Sequence, residues 1–240
     1  MIVTIHQPQY LTWLGFFNKC ACSDIFVLLD DVQFQKNGFQ NRTQIKTATG
    51  WQYLTVPVSY SHPARISEVR TALNTDWQKK HWKALVQNYQ KAPYFRNYED
   101  RIRPLFENRF DKLEELTARS IEIIFGILGI DTRIIKSSSI KAPGDSSDRL
   151  VNICKSLKAD IYLSGIGGKK YLEEDKFKNS GIQVIYQDYK HPVYEQQFEN
   201  TTFQPNMSVI DLIFNCGEKS RDIMLSGYSL QERQHLNAKT

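Results

Sequence analysis

Four groups of polar side chains in this 240-residue chain could do chemistry. The first centres on His6, which ends the β-rich run Ile2-Val3-Thr4-Ile5 and precedes Pro8, whose missing N–H stops a strand ladder from continuing. A His at the end of a first parallel strand, ahead of a helix, stands where backbone amides and the helix dipole favour phosphate, and its imidazole adds a donor. Gln7 and Tyr10 share that turn as candidate substrate contacts. The second group is Asp30-Asp31, directly after the apolar run Ile25-Phe26-Val27-Leu28-Leu29. Two adjacent carboxylates there need solvent, basic partners or a metal, because an unpaired buried charge costs several kcal/mol. They are candidates for positioning an amine or Mg²⁺, and with His6 they form the expected catalytic set. No further acid is spaced to complete a protein cage, so no all-protein metal site is expected and any Mg²⁺ would be completed by phosphates.

The stretch from Gln33 to Lys46 is rich in amides and poor in aliphatics. Gln33, Lys36, Asn41, Arg42 and Lys46 there suit sugar hydroxyls and phosphates. The fourth group, Ser164-Gly165-Ile166-Gly167-Gly168-Lys169-Lys170, follows one strand and precedes a helix. Ser164, Gly165, Gly168 and Lys169 could cradle a phosphate or carboxylate by close backbone approach and charge. The spacing matches neither G-x-x-x-x-G-K nor G-x-G-x-x-G. His62 and His191 each precede Pro and read as turn residues.

The elements that must hold these groups alternate. A strand at residues 2–5, a helix over Tyr10 to Cys22 and a strand at Ile25 to Leu29 open the chain; strands at 132–135, 160–163 and 182–186 follow, with helices at 146–157 and 173–179. Such alternation implies parallel pairing through right-handed crossovers, about five strands in a doubly wound, mostly parallel α/β sheet of Rossmann-like architecture. Strand ends in such a sheet share one face, so His6, Asp30-Asp31 and the 164–169 loop are expected around one crevice. Between the halves, Trp51 to Val58 reads as a strand or hairpin. Residues 75–110 read as a helical insertion capping the sheet edge, 111–130 as a helix returning to it, and 196–240 as a helical extension with a polar, frayed end from 230. The whole is expected to be one α/β domain.

Hydrophobic residues make up 41% of the chain and the formal charge is +5. That balance suits anionic small molecules; no basic run is long enough for a nucleic-acid tail, and in Lys79-Lys80-His81-Trp82-Lys83 the cations spread around a helix with Trp82 turned inward. No apolar run reaches membrane-spanning length and no basic leader precedes the first strand, which favours the cytoplasm. Cys20, Cys22, Cys154 and Cys216 lack metal spacing and read as reduced thiols.

Ile5-His6-Gln7-Pro8-Gln9-Tyr10-Leu11, Trp13-Leu14-Gly15, Asp30-Asp31-Val32-Gln33-Phe34, Gln40-Asn41-Arg42 and Tyr162-Leu163-Ser164-Gly165 together resemble the WbqC-like protein family. The resemblance continues through His191-Pro192-Val193-Tyr194 to Phe214-Asn215-Cys216-Gly217, with Thr12 where the family's opening block is expected to carry Pro. It implies a bacterial protein of surface-polysaccharide or O-antigen biosynthesis. Together with the phosphate-suited crevice it points to an enzyme acting on a nucleotide or nucleotide-sugar, by transfer of an acyl or aminoacyl group to the amine of a nucleotide-linked amino sugar. An ATP-dependent version would set His6 and Lys169 against departing phosphates and use Asp30 or Asp31 to position Mg²⁺. No Ser-His-Asp or Cys-His arrangement supports a covalent acyl-enzyme. Glycosyl transfer and non-catalytic binding of a nucleotide sugar are the alternatives.

Overall fold

A computed structural model of the protein describes residues 1–198 and 201–227. The chain opens with β1 (Ile2–His6), α1 (Leu14–Ala21) and β2 (Ile25–Leu28), then departs from the sheet through an antiparallel hairpin, β3 (Arg42–Thr47) and β4 (Gly50–Thr55), and a short pair, β5 (Val58–Ser59) and β6 (Arg70–Thr71). Helices α2 (Trp77–Tyr89), α3 (Phe95–Ile102), α4 (Pro104–Glu107) and α5 (Leu113–Leu128) follow. The sheet resumes with β7 (Arg133–Lys136), α6 (Ser137–Ile140), α7 (Ser146–Ser156), β8 (Ile161–Gly165), α8 (Glu174–Lys178) and β9 (Gln183–Gln187), and the described chain closes with α9 (Val209–Cys216) and α10 (Ser220–Ser226).

Five strands form the central sheet in the order β7-β2-β1-β8-β9, and every pairing is parallel. These are the five strands expected from the alternation of β-rich runs with helices, and β2 is the uninterrupted apolar run of a strand covered on both faces. Counted along the chain, the order is third, second, first, fourth, fifth. The connections therefore leave β1 toward opposite edges, and the carboxyl ends of β1 and β8 bound the topological switch point, where open sheets of this kind leave a crevice.

Alternation along each strand sorts the two faces. Val3, Ile5, Ile25 and Val27 pack with Leu150, Val151, Ile153 and Cys154 of α7 and with Phe177 of α8, whose ring stacks on Tyr162 at 5.2 Å. On the other face Phe26 meets Phe16 of α1 and Phe125 of α5 edge-on or tilted. The larger core begins there and runs outward through α9, whose eight residues are all buried, into α2–α4. Trp82 of α2 lies against Phe95 and Phe106, and Phe95 against Phe214 of α9. α5 stops at Gly129, whose φ of 61° is the left-handed cap that glycine adopts without strain.

Three local readings change. α1 begins at Leu14, not Tyr10: residues 7–13 are irregular, Leu11 has φ of 42°, and Trp13 forms an isolated bridge to Ser208. Residues 42–47, read as a polar site loop, are a strand. Thr43 and Ile45 are buried in alternation with Arg42 and Gln44, and the cations hid that period. Residues 166–170 are a 3₁₀ turn, and α8 beyond it has five residues, so Ser164 to Lys169 does not lead into a helix of useful length. The C-terminal reading from 228 onward lies outside the described residues.

Candidate functional site

A cleft of about 420 Å³ opens at the carboxyl edge of the sheet, walled by Ile5 and His6 at the end of β1, by Gln7, by Leu29, Val32 and Gln35 after β2, by Ser146, Arg149 and Leu150 of α7, by Tyr162 of β8 and by Tyr171. It lies where the strand order reverses.

His6 Nδ1 is 2.9 Å from the Gln7 carbonyl oxygen. A carbonyl only accepts, so Nδ1 carries the hydrogen and Nε2 is left as the acceptor. The ring is half-buried, edge-on to Phe16 with centroids 5.1 Å apart. Burial, reinforced by the nearby Lys19 charge and only partly opposed by the Gln7 hydrogen bond, pushes its pKa down to about 3. At neutral pH the imidazole is uncharged. It is a hydrogen-bond acceptor or base in the cleft rather than the phosphate donor that the strand-to-helix reading suggested, and seven residues separate it from the start of α1.

Gln7 accepts a hydrogen bond from Gln40 Nε2 at 2.7 Å, and Gln40 Oε1 accepts one from the Gln35 amide at 2.9 Å. This amide chain fastens the turn after β1 to the segment after β2. Asp30 is buried and its carboxylate accepts from the Ser137 hydroxyl, the Ser138 amide and the Ser138 hydroxyl at 2.7–3.0 Å. Burial alone would raise its pKa, but those bonds outweigh it and hold the carboxyl below the usual range. Asp31 shares the one Ser137 hydroxyl hydrogen with Asp30 and pairs with the Arg149 guanidinium on the cleft wall. All four carboxylate oxygens are thus engaged, and the pair ties β2 to the β7–α6 turn. That arrangement does not fit a metal-binding pair, since Mg²⁺ would have to displace Ser137, Ser138 or Arg149. Among the described residues no three His, Cys, Asp or Glu side chains gather to hold a metal ion.

The other expected contacts scatter. Ser164 is buried at the end of β8 beside the cleft, with its hydroxyl on the Gly165 carbonyl. Gly168 is a packing residue: a Cβ there would collide with Ser164 Oγ and come within 2.9 Å of Leu172 Cδ1. Lys169 is exposed, with Nζ 5.3 Å from the centre of the Tyr186 ring. Gln33 and Lys36 are exposed and outside the cleft lining. Tyr10 is turned away into the core, its hydroxyl 3.1 Å from His81 Nδ1. Lys46 is buried on β3 with Asp211 as its charge partner, and Asn41 Nδ2 donates to the Val56 carbonyl at 2.8 Å.

Arg42 places its guanidinium 4.4 Å from the Tyr53 ring centre, beside a second hollow of about 340 Å³ lined by Gln9, Thr12, Trp13, Phe39, Thr43, Gln44 and Asn206. Only Pro8 separates Gln7 on the first cleft from Gln9 on the second. Amides, hydroxyls and aromatic faces in one hollow suit a sugar ring, whose C–H faces stack while its hydroxyls take the amides. Of residues 33–46, Phe39, Thr43 and Gln44 line this hollow, and Gln33, Lys36, Asn41, Arg42 and Lys46 do not.

Two cations escaped the sequence reading: Arg149 on the cleft wall, and Lys19, which lies outside the cleft lining with Nζ 4.0 Å from where a Cβ of Gly165 would stand. Arg149 stands in the first turns of α7, against the preference of the helix dipole, and that position was a usable signal. Lys19 is in the last turn of α1, where a cation is unremarkable by the same rule. Yet α1 is buried from Leu14 to Cys20, and a Lys in a helix with no solvated face is itself informative. No thiol is available as a nucleophile at Cys20, Cys154 or Cys216: burial raises all three, Cys154 to about 12 and Cys216 to about 11.

A model of the WbqC-like protein family matches residues 7–223. The chain is 34% identical over 226 residues to "Uncharacterized protein Rv1507c" of Mycobacterium tuberculosis, covering 92% of this chain and 96% of that protein. No solved structure matches the chain.

Proposed function

The chain belongs to the WbqC-like protein family, and from that premise we propose that it is a transferase of bacterial surface-polysaccharide assembly that places an acyl or aminoacyl group on the amine of a nucleotide-linked amino sugar. The observation that carries the reading is His6 at the switch point of a parallel sheet, uncharged and with Nε2 unprotonated. An amine attacking an acyl carbon must lose a proton as the C–N bond forms. His6 Nε2 accepts that proton, the bond from the acyl carbon to its leaving oxygen or sulfur breaks, and the same nitrogen returns the proton to the leaving group. No covalent acyl-enzyme is needed.

The sugar ring lies in the amide and aromatic hollow around Gln9, Trp13 and Gln44, and the nucleotide phosphates lie toward the β1–β8 crevice. In an ATP-dependent version Mg²⁺ would be held by the phosphates, because Asp30 and Asp31 are engaged by Ser137, Ser138 and Arg149. Mass spectrometry of nucleotide-linked amino sugars incubated with the protein and acyl donors, with and without MgATP, tests the reading. The expected result is an added acyl mass that His6→Asn abolishes. Glycosyl transfer in place of acylation, or tight binding of the nucleotide sugar with no product in any mixture, would overturn it in favour of a glycosyltransferase or a binding protein.

A further inference from the structure

Lys19 is 3% exposed, and among the described residues its ammonium has neither an ion pair nor a hydrogen bond. Burying an ammonium without a partner is costly, and Lys19 Nζ, which is not among the enclosed polar atoms that lack a partner, keeps a contact with solvent. Its neighbour on α1 shows the contrast. Asn18 donates to the Met224 carbonyl at 3.1 Å and accepts from Gln187 Nε2 at 2.6 Å, and Gln187 also donates to the Gly15 carbonyl at 3.0 Å. These bonds clamp α1 to β9 and α10 and satisfy every other polar side chain on that buried stretch.

The side chain of a helical residue leans toward the helix N-terminus, and α1 runs back from the carboxyl edge of the sheet, so Lys19 reaches up toward that edge. Its Nζ ends 4.0 Å from where a Cβ of Gly165 would stand, and its charge is felt by the His6 ring. Gly165 closes β8 and His6 closes β1. The ammonium thus lies between the two strands whose connections diverge, on the α1 side of the same crevice edge.

We propose that Lys19 is the charge anchor of an anion subsite between the ends of β1 and β8, which takes a phosphate of the nucleotide-linked substrate. The inference deepens the transferase reading and rests on it for the identity of the substrate, though not for the existence of the site. A lone ammonium is a point charge that suits a phosphate oxygen, with no bidentate geometry to favour a carboxylate. Occupation of the site would also change His6. The Lys19 charge is one of the two causes that depress the imidazole, and a phosphate against Lys19 cancels it, so the base gains proton affinity when substrate is in place.

The test uses inorganic pyrophosphate, followed by calorimetric titration and thermal unfolding of the wild-type protein, Lys19→Met and, at an exposed lysine of α7, Lys155→Met. Pyrophosphate is expected to bind and stabilise the wild type and Lys155→Met, and to bind Lys19→Met at least tenfold more weakly. The ligand-free Lys19→Met protein is expected to be no less stable than wild type, because Met keeps the stem and removes an unpaired charge. Acetate at the same concentration is the carboxylate control and is expected to give no comparable shift. Should Lys19→Met fail to fold, the wild-type protein labelled with ¹⁵N in its lysine side chains decides the question. Its Lys19 amine titrates at about 8 without ligand, and saturating pyrophosphate must move that midpoint upward by at least one pH unit. Equal pyrophosphate binding by wild type and Lys19→Met, no binding by either, stabilisation by acetate alone, or an unmoved midpoint would overturn the proposal. Pyrophosphate binding lost in Lys19→Met with no amide product from any donor would leave the subsite standing and remove the transferase reading; undiminished product from Lys19→Met would do the reverse.

Discussion

His6 should make the protein acid-sensitive, and His6→Asn should remove that part of the sensitivity. The native imidazole has a pKa near 3 against an ordinary 6.5, so over the interval between those values the unfolded chain binds a proton that the native protein does not. Stability therefore falls as the pH drops through that window and is unaffected above it. Each tenfold change in proton affinity is worth about 1.4 kcal/mol. Going from neutral pH to about pH 4.5 covers two of those decades, or roughly 2.7 kcal/mol, which the partial exposure of the ring reduces to about 2 kcal/mol. Asn preserves a donor for the Gln7 carbonyl and cannot be protonated. His81, depressed to about 4 by burial, and His191, depressed by the same cause, contribute losses of the same sign in both proteins and cancel in the comparison. Urea unfolding at the two pH values should show the wild type losing about 2 kcal/mol more than the variant. Parallel losses would mean that the ring is solvated and unperturbed, and the assignment of Nε2 as the free base would go with it.

Gly168→Ala should lower the unfolding temperature at a cost of about 1–3 kcal/mol, since the new methyl meets Ser164 Oγ and Leu172, and Ser164→Gly in the same chain should recover part of it; an unchanged melting curve would refute the packing role. Tyr89→Phe should cost about 1.5–3 kcal/mol in chemical denaturation, because buried Asp211 accepts from Tyr89, Tyr194 and Gln196 at 2.7–2.8 Å, and the loss should be non-additive with Tyr194→Phe; additive losses would show that the three bonds are independent. Arg149→Met should cost about 3 kcal/mol by leaving Asp31 with Ser137 alone, and Asp31→Asn in the same protein should return much of it, as thermal unfolding of the single and double variants would show.

The sheet was legible because its inner strands are short apolar runs with the parallel signature, and Pro8 marks a real boundary just after β1. β3 was hidden: Arg42, Gln44 and Lys46 disguise a strand whose alternate residues Thr43 and Ile45 are buried, and Lys46 itself is buried because Asp211 arrives from a helix far along the chain. Such a partner is invisible to a local pattern. His6 was legible from its place before Pro8, but its charge state was not, since the depression comes from tertiary burial and from Lys19. Asp30 and Asp31 look catalytic in sequence because nothing nearby satisfies them. Their partners Ser137, Ser138 and Arg149 lie more than a hundred residues away.

Soaking crystals of the wild-type protein with a nucleotide-linked amino sugar tests the central claim most directly. The account predicts density at the carboxyl ends of β1 and β8, with phosphate oxygens on Lys19, the sugar amine within hydrogen-bond distance of His6 Nε2, and the ring against Trp13 and Gln44. Density seated elsewhere on the surface, or a bound molecule whose amine points away from His6, would contradict it.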